Sequence, residues 1–565
     1  MTSTRASASA ARLCSRASHL ANLAYAIAGA PLLAIFTLAL AVRLLATMLF
    51  TGLIDPEGAE YARIAQNLLQ GNGYSGIAEP GTQLFFPPLF PFAIAAVTLV
   101  TGNAELAGRL ISLIMGALIV VPVFWIAMRM YGRRTALLAA GIAACHPYLV
   151  YMSTTVYSEM TYLTLLLSAI AFVFSAMADP GIRNLVAAGG AYGLAALIRA
   201  EVLLCMLVST ALILVGLHQT RKKAAPAGYK RVGLLVATFV LVTAPYAAWL
   251  SLQVGQLRWE GKSPLNLSTD LRILQGENPI EAQFGVNASG AETGVWNQPN
   301  LVTIKSFSMT AGQFLDLVEE KTMHVLRNSS EAIGSHLLFG GPIMLILVAF
   351  GLFSRPWSTT LTLCQLQLFA VVGLACISTY FIYYNAPRFY IVLGPIYAIW
   401  AAAGLRSAVT WAAGTARAHS WNGRAVRGMA ATLWLAVPFL LTAASAGVLA
   451  MEARATRPIK SLAEQQQRSA PRPLHVLDSH TVVSFHAAAT HFWLPYADSA
   501  TAAKYIDKNA IDLVVLRTAE ADTRPYARAW IEKGLPIGNA RLLQTFDLRG
   551  GERVIVYKID RNVRR

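Results

Sequence analysis

Charge is scarce in this chain. Only 13% of its residues are Asp, Glu, Lys or Arg, against about 25% in soluble domains, while 55% are hydrophobic. So little charge does not hide that much apolar surface from water, so a wholly soluble protein is excluded and the excess faces lipid. Cysteine is scarce too. Cys145, Cys205, Cys364 and Cys376 lie in apolar runs and Cys14 in a basic terminus, which excludes a disulfide-stapled scaffold. Acids are outnumbered by bases, and the formal net charge is +17. The bases sit in short clusters between apolar runs, a membrane-topology pattern rather than a nucleic-acid groove.

Apolar runs long enough to span a bilayer, about 20 residues each, cover 27–50, 107–128, 135–153, 160–178, 183–199, 201–217, 232–254, 336–353, 360–384, 389–405 and 428–450. The sequence therefore predicts a mainly α, polytopic helical bundle of about eleven spans. Arg5, Arg12 and Arg16 precede the first run, which reads as a retained signal anchor with residues 1–26 inside. With that orientation the clusters Arg129–Arg134, Arg221–Arg231 and Arg406–Arg427 fall inside, as positive charge does. Arg43, within the first span, is read as structural and snorkelling outward. Residues 88–102 are apolar but short and open with prolines. As a span they would reverse every later loop, so they are read as an interfacial or re-entrant helix.

The expected module covers 27–450. Its outer loops are 54–106, which lies on the membrane surface, and 255–335, which is long and polar. The outer tail 451–565 has soluble character. Leu474–Leu477, Ile511–Leu516, Leu542–Phe546 and Val554–Ile559 read as strands and Tyr526–Lys533 as a helix, a small α/β domain.

The chemistry gathers where spans meet the outer face. The first outer segment begins Asp55-Pro56-Glu57-Gly58-Ala59-Glu60-Tyr61-Ala62-Arg63, with Pro suited to a first helical turn. One reading makes Asp55 an N-cap. Further on come Pro87-Pro88-Leu89-Phe90-Pro91, Ser158-Glu159 opening a span, Gly193-Leu194-Ala195-Ala196-Leu197-Ile198-Arg199, and Pro387-Arg388-Phe389-Tyr390. In order, spacing and membrane side these resemble the GT-C glycosyltransferases, in particular the bacterial group related to protein O-mannosyltransferases and lipid A aminoarabinose transferases.

That resemblance implies an enzyme that moves a hexose or pentose from a polyprenyl-phosphate sugar to an acceptor hydroxyl, with inversion, at the periplasmic face of a bacterial inner membrane. The acceptor would be a lipid, glycan or protein. Asp55 would be the catalytic base, its pKa raised by burial or a neighbouring acid. Glu159 would be the second acid, orienting the acceptor, binding a cation or holding Arg199; the plainer reading is a carboxylate at a helix start. Arg199, with Glu201 close by, is either an interface pair or a donor-phosphate ligand. Arg388 has the same choice and leans to phosphate. Glu57, Glu60, Tyr61 and Tyr390 complete the expected substrate contacts. In the aminoarabinose transferases a lysine precedes the double proline and contacts the donor phosphate; here Phe86 stands there, which favours a different sugar.

His475, His480, His486 and His491 lack metal-ligand spacing and read as ordinary surface and core histidines. No metal ligand set is assigned, and a divalent cation near Asp55 and Glu159 stays open. The competing classes are an O-antigen polymerase or ligase, which would need an arginine-rich outer loop where 255–335 is only modestly basic; a lipid-linked-sugar transporter, which would show inverted repeats and mid-membrane acids; and a non-catalytic receptor, which needs no convergence of acids and arginines.

Overall fold

The computed structural model describes residues 30–49, 52–77, 81–178, 181–219, 225–297, 310–334, 342–353, 357–378, 387–418 and 455–561. The basic segment 1–26 and the span expected over 428–450 lie outside them. Among the described residues six helices are long and apolar enough to cross a membrane: Ala30–Leu49, Ala104–Tyr131, Glu159–Met177, Val202–Gln219, Gly228–Val254 and Thr359–Ile377. The shorter helices Ile182–Ala196 and Pro342–Phe353 and the 26-residue helix Leu393–Ala418 pack among them.

Close helix packing here depends on small residues. Gly189 and Gly193, four apart on the Ile182–Ala196 helix, face the Ala225–Val254 helix. A Cβ on Gly189 would sit 2.3 Å from the Leu235 carbonyl oxygen, and one on Gly193 2.7 Å from Val242 Cβ. Lipid tails offer no hydrophobic drive between helices, so backbone-to-backbone approach supplies the packing.

Two expected elements differ in form. The run 135–153 is broken into Arg133–Ala144 and Pro147–Met152. Pro147 lacks a backbone N–H and pushes His146 to an extended conformation, φ −66° and ψ 121°. Arg43 is the second correction. It does not snorkel: it is fully buried. Its Nη1 donates to the Ala144 carbonyl at 2.8 Å and its Nε to Ser153 Oγ at 3.0 Å. The broken helix leaves carbonyls without intrahelical donors, and Arg43 serves one of them.

The 88–102 segment forms the Leu89–Thr101 helix, about 20 Å long and so shorter than the roughly 30 Å hydrocarbon core. It packs on the Pro56–Leu69 and Ala104–Leu118 helices. The loop after the Ala225–Val254 helix folds into helices Lys262–Leu274, Pro279–Phe284 and Ala311–Gly334. A buried Lys321–Asp270 ion pair, 2.7 Å, joins the first of these to the last.

The tail carries a five-stranded sheet of β1 (His475–Asp478), β2 (Thr490–Trp493), β3 (Leu513–Arg517), β4 (Ala540–Asp547) and β5 (Arg553–Ile559), ordered β2-β1-β3-β5-β4. β1, β2 and β3 are parallel, and β5 runs antiparallel to both of its neighbours, β3 and β4. Strand β2 is an addition to the four expected: Thr490–Trp493 has none of the aliphatic residues that mark the other strands. The domain is fastened to the outer loops. Thr481 Oγ1 donates to the Pro56 carbonyl at 2.8 Å, and Val286 N donates to the Tyr496 carbonyl at 3.2 Å.

Replacing Arg43 by Met should leave the Ala144 carbonyl and Ser153 hydroxyl short of a donor and cost about 1–3 kcal/mol. A thermal unfolding scan in detergent should show a lower Tm; an unchanged Tm would contradict this role.

Candidate functional site

The Pro56–Leu69 helix starts where the first span has just ended. Pro56 occupies its first turn, and Asp55 holds the N-cap position with extended backbone, φ −72° and ψ 155°. Yet the Asp55 side chain makes no cap hydrogen bond. The Tyr157 hydroxyl stands near enough to lower its pKa. The carboxylate is thus not spent on the helix end, as a capping residue's would be.

Glu57, in the first turn of the same helix, joins an alternating chain of charges. Its Oε2 lies 2.6 Å from Arg388 Nη1. Arg388 Nη1 is 3.6 Å from Glu159 Oε1, and that oxygen is 2.7 Å from Arg199 Nη2. Arg199 Nη1 in turn reaches Glu201 Oε1 at 3.5 Å. Tyr61 donates to Glu57 Oε1 at 2.9 Å. The Arg388 guanidinium lies over the Tyr157 and Phe389 rings, 4.7 and 5.4 Å from their centroids, a stacked arrangement that fixes a planar cation. Glu159 is fully buried, and its Oε2 has no hydrogen-bond partner among the described residues.

These groups surround a cavity of about 330 Å³, within the range of small-molecule sites. Glu57, Tyr61, Arg199, Glu201, Arg388, Glu260 and Lys262 supply most of its polar wall, and Phe86, Trp259, Leu204 and Ile377 much of its apolar wall. Asp55 and Glu159 stand behind this wall rather than on it. Glu159 touches both arginines, and Asp55 lies against the Tyr157 that Arg388 covers.

Two of the expected substrate contacts sit elsewhere. Glu60 Oε2 accepts from the Ile77 backbone N–H at 2.8 Å, which anchors the 75–77 loop, and Glu60 does not line the cavity. Tyr390 is fully buried in the main transmembrane core, because the short 3₁₀ turn Pro387–Tyr390 turns Arg388 and Tyr390 to different sides.

Two neighbours were not foreseen. Tyr157 directly precedes the Ser158-Glu159 pair, so its place in the sequence was a usable signal. Lys262 comes from the far outer loop. Its Nζ stands 5.5 Å from the centroid of the Phe86 ring, putting a cation over the position where a lysine was missing. Gly261 makes this approach possible: a Cβ there would sit 1.9 Å from the Leu84 carbonyl oxygen.

The electrostatics divide the two acids of the first outer helix. Burial raises the Asp55 carboxyl from 3.8 to about 6, opposed by the Tyr157 hydrogen bond and by Arg109 and Arg388. Burial also pushes Glu57 up, but Arg388, Lys262 and Arg199 outweigh it and hold that carboxyl well below the usual range. For Arg199, burial is more than offset by Glu159, Glu201 and Glu57, so its guanidinium stays charged. Among the described residues no group of three or more His, Cys, Asp or Glu side chains converges as a metal site. His475 Nδ1 instead pairs with the Asn509 carbonyl and His491 Nδ1 with Ser484 Oγ.

Residues 86–249 match the family described as dolichyl-phosphate-mannose-protein mannosyltransferase. Solved structures extend the likeness to nearly the whole chain. ArnT from Cupriavidus metallidurans bound to undecaprenyl phosphate aligns over 94% of this chain and 98% of its own, with TM-score 0.55 and 14% identity. The fold is that of the GT-C membrane glycosyltransferases. The Archaeoglobus fulgidus oligosaccharyltransferase tethered with an acceptor peptide shares this GT-C fold over 94% of this chain and 74% of its own, with TM-score 0.57 and 13% identity. No curated protein matches the sequence.

The raised Asp55 value has a consequence for stability. The folded state holds the proton more tightly than the unfolded state, so this group's contribution falls as pH rises from about 4 to about 6 and is at its least favourable above that. Asp55→Asn removes the cost of a buried charge. It should raise Tm near neutral pH, by at most about 3 kcal/mol of stability, and the gain should vanish below about pH 4. A Tm gap that does not depend on pH would show that Asp55 is not held up by burial.

Proposed function

We propose that this protein is an inverting glycosyltransferase that moves a sugar from a polyprenyl-phosphate donor to an acceptor hydroxyl, at the periplasmic face of a bacterial inner membrane. The observation that carries this reading is the cavity where Arg199, Arg388 and Lys262 meet an apolar rim at the ends of spans. Leu204 and Ile377, on that rim, are 46% and 51% exposed, so the cavity opens between two helices toward lipid. An isoprenoid tail has a path out of the site while its phosphate stays among the cations. The structurally similar ArnT was solved holding undecaprenyl phosphate, which agrees with this kind of donor.

In the proposed reaction the acceptor O–H gives its proton to the Asp55 carboxylate. The oxygen attacks the anomeric carbon, and the bond from that carbon to the phosphate oxygen breaks. The lipid phosphate leaves with the bonding pair, and its added negative charge forms beside Arg199 and Arg388. Guanidinium forks suit phosphate oxygens, and Lys262 adds a point charge. A base must be ionised yet ready to take a proton near neutrality. Of the two acids that open the first outer helix, Asp55 meets that description; Glu57 is too firmly held by Arg388. Glu159, behind the cavity wall, holds both arginines in place. Three side-chain cations, Arg199, Arg388 and Lys262, would face the phosphate in this scheme.

The test is transfer by purified protein in liposomes, with defined undecaprenyl-phosphate sugars and candidate envelope acceptors. Wild type should consume donor, with a rate that rises with pH through about 6 and then levels. Asp55→Asn should lose at least about 100-fold in kcat. Lys262→Ala should raise the donor KM about tenfold with a smaller change in kcat. No donor consumption by wild type, or full activity in Asp55→Asn, would overturn the corresponding part.

A further inference from the structure

A second cavity, about 660 Å³, lies at the opposite face of the Pro56–Leu69 helix. Tyr61 faces the first cavity, and Arg63, about 200° further round the helix, faces the second. Its walls come from three separate parts of the chain. Arg63 belongs to the first outer segment, Asn297 to the long outer loop, and His491, Trp493, Tyr505 and Lys508 to the C-terminal domain. None of these residues entered the reaction derived above.

The wall is unusual in what it leaves unsatisfied. Arg63 Nε, Asn297 Oδ1, His491 Nε2 and Trp493 Nε1 are all buried with no hydrogen-bond partner among the described residues. Folded proteins pair nearly all such atoms, so four on one wall point to partners that arrive from outside. His491 is only 3% exposed. Its Nδ1 is committed to Ser484 Oγ at 2.9 Å, which leaves Nε2 for the cavity. Arg63 is held by the carbonyls of Ser484 and Phe485, each 3.4 Å from Nη2, and so presents its Nε in a fixed place. His491 and Trp493 are two apart on β2 and project from one face of the sheet, with ring centroids 4.6 Å apart.

The chemistry of the wall narrows the ligand. Trp and Arg offer N–H donors, Asn an acceptor, and burial keeps the His491 ring neutral, so Nε2 serves in either sense. Lys508 Nζ already donates to the Gly290 carbonyl at 2.9 Å, and Glu292, bonded to Tyr505, lies on the same wall. A sugar ring has an apolar C–H face that stacks on aromatics and a rim of hydroxyls that both give and accept. The volume suits one or two such rings.

We propose that this cavity binds a neutral carbohydrate unit of the acceptor, apart from the cavity that holds Arg199 and Arg388. Its description as acceptor rests on the transfer reaction proposed above; the binding itself does not. Because the outer loops and the tail domain share the walls, a glycan seated here would register the tail against the helix that carries Asp55.

The experiment is calorimetric titration of the full-length protein in detergent with chitobiose, mannobiose and cellobiose, with no donor present. At least one disaccharide should bind saturably. His491→Ala and Trp493→Ala should each weaken it about tenfold, the effect expected for a lost buried hydrogen bond. Asn297→Ala, on a half-buried loop position, should weaken it several-fold and decides the matter if the strand variants do not fold. Asp55→Asn should bind the disaccharide as wild type does, so a failed transfer assay leaves this readout intact. The proposal is overturned if none of the three sugars binds saturably to wild type, or if binding is indifferent to His491, Trp493 and Asn297 together.

Discussion

The outer end of this membrane bundle is organised by one chain of alternating charges, Glu57–Arg388–Glu159–Arg199–Glu201. It joins four segments that are remote in sequence: the first outer helix, the 3₁₀ turn before a late span, the start of the Glu159–Ala178 helix and the turn at 199–201. Each ion alone would be expensive to bury at a membrane boundary. Alternation makes every ion the neighbour's counter-charge, so none is left uncompensated, and removing one member strands the rest. The same arrangement keeps two guanidinium groups in a confined cavity without a ligand. In the proposed transfer an incoming phosphate would meet cations already oriented, with the carboxylates that hold them close by.

Two further arginines place this chain in space. Arg109, paired with Glu105 at 2.9 Å, donates to the carbonyls of Thr154 at 2.7 Å and Gly52 at 3.0 Å. Those carbonyls lie three residues before Tyr157 and Asp55 respectively, so a single guanidinium sets both halves of the Asp55–Tyr157 contact. Lys460 reaches Glu105 at 2.8 Å, which ties the tail to the same point. Arg43 does comparable work deeper down, where Pro147 opens a helix. In both cases irregular backbone is tolerated because a buried arginine answers its carbonyls.

Much of the architecture was legible because hydrophobic runs and basic clusters are one-dimensional signals. The short Leu89–Thr101 helix followed from its length and its prolines. Other features depend on partners far along the chain. Nothing local to Lys262 says that it will stand over Phe86; that needs Gly261 to let the loop approach Leu84. Glu60 and Tyr390 share motifs with true cavity residues, yet helix and 3₁₀ geometry send them to a loop and to the core. The break at His146-Pro147 was visible as a dipeptide, but the apolar run around it masked the consequence. Strand β2 escaped because Thr490–Trp493 has no aliphatic residue to mark it, while its pairing with β1 is set by the parallel crossover.

The sharpest division lies within the first turn of one helix. Asp55 and Glu57 are two residues apart, similarly enclosed, and chemically alike, yet their protonation is pulled in opposite directions. Asp55 has a tyrosine hydroxyl as its close partner and charges only at longer range, so desolvation prevails. Glu57 has Arg388 in direct contact, so Coulomb attraction prevails. Opposed pKa values in neighbouring acids are how one site separates a proton acceptor from a fixed anion. Here the fixed anion orients the cation that would take the leaving phosphate, and the proton acceptor stands behind the same cation, across Tyr157. Asp55 and Arg388 thus both neighbour one aromatic ring, that of Tyr157. In this fold that arrangement is set by Pro56, which starts the helix, and by Arg109, which holds both strands of backbone leading to it.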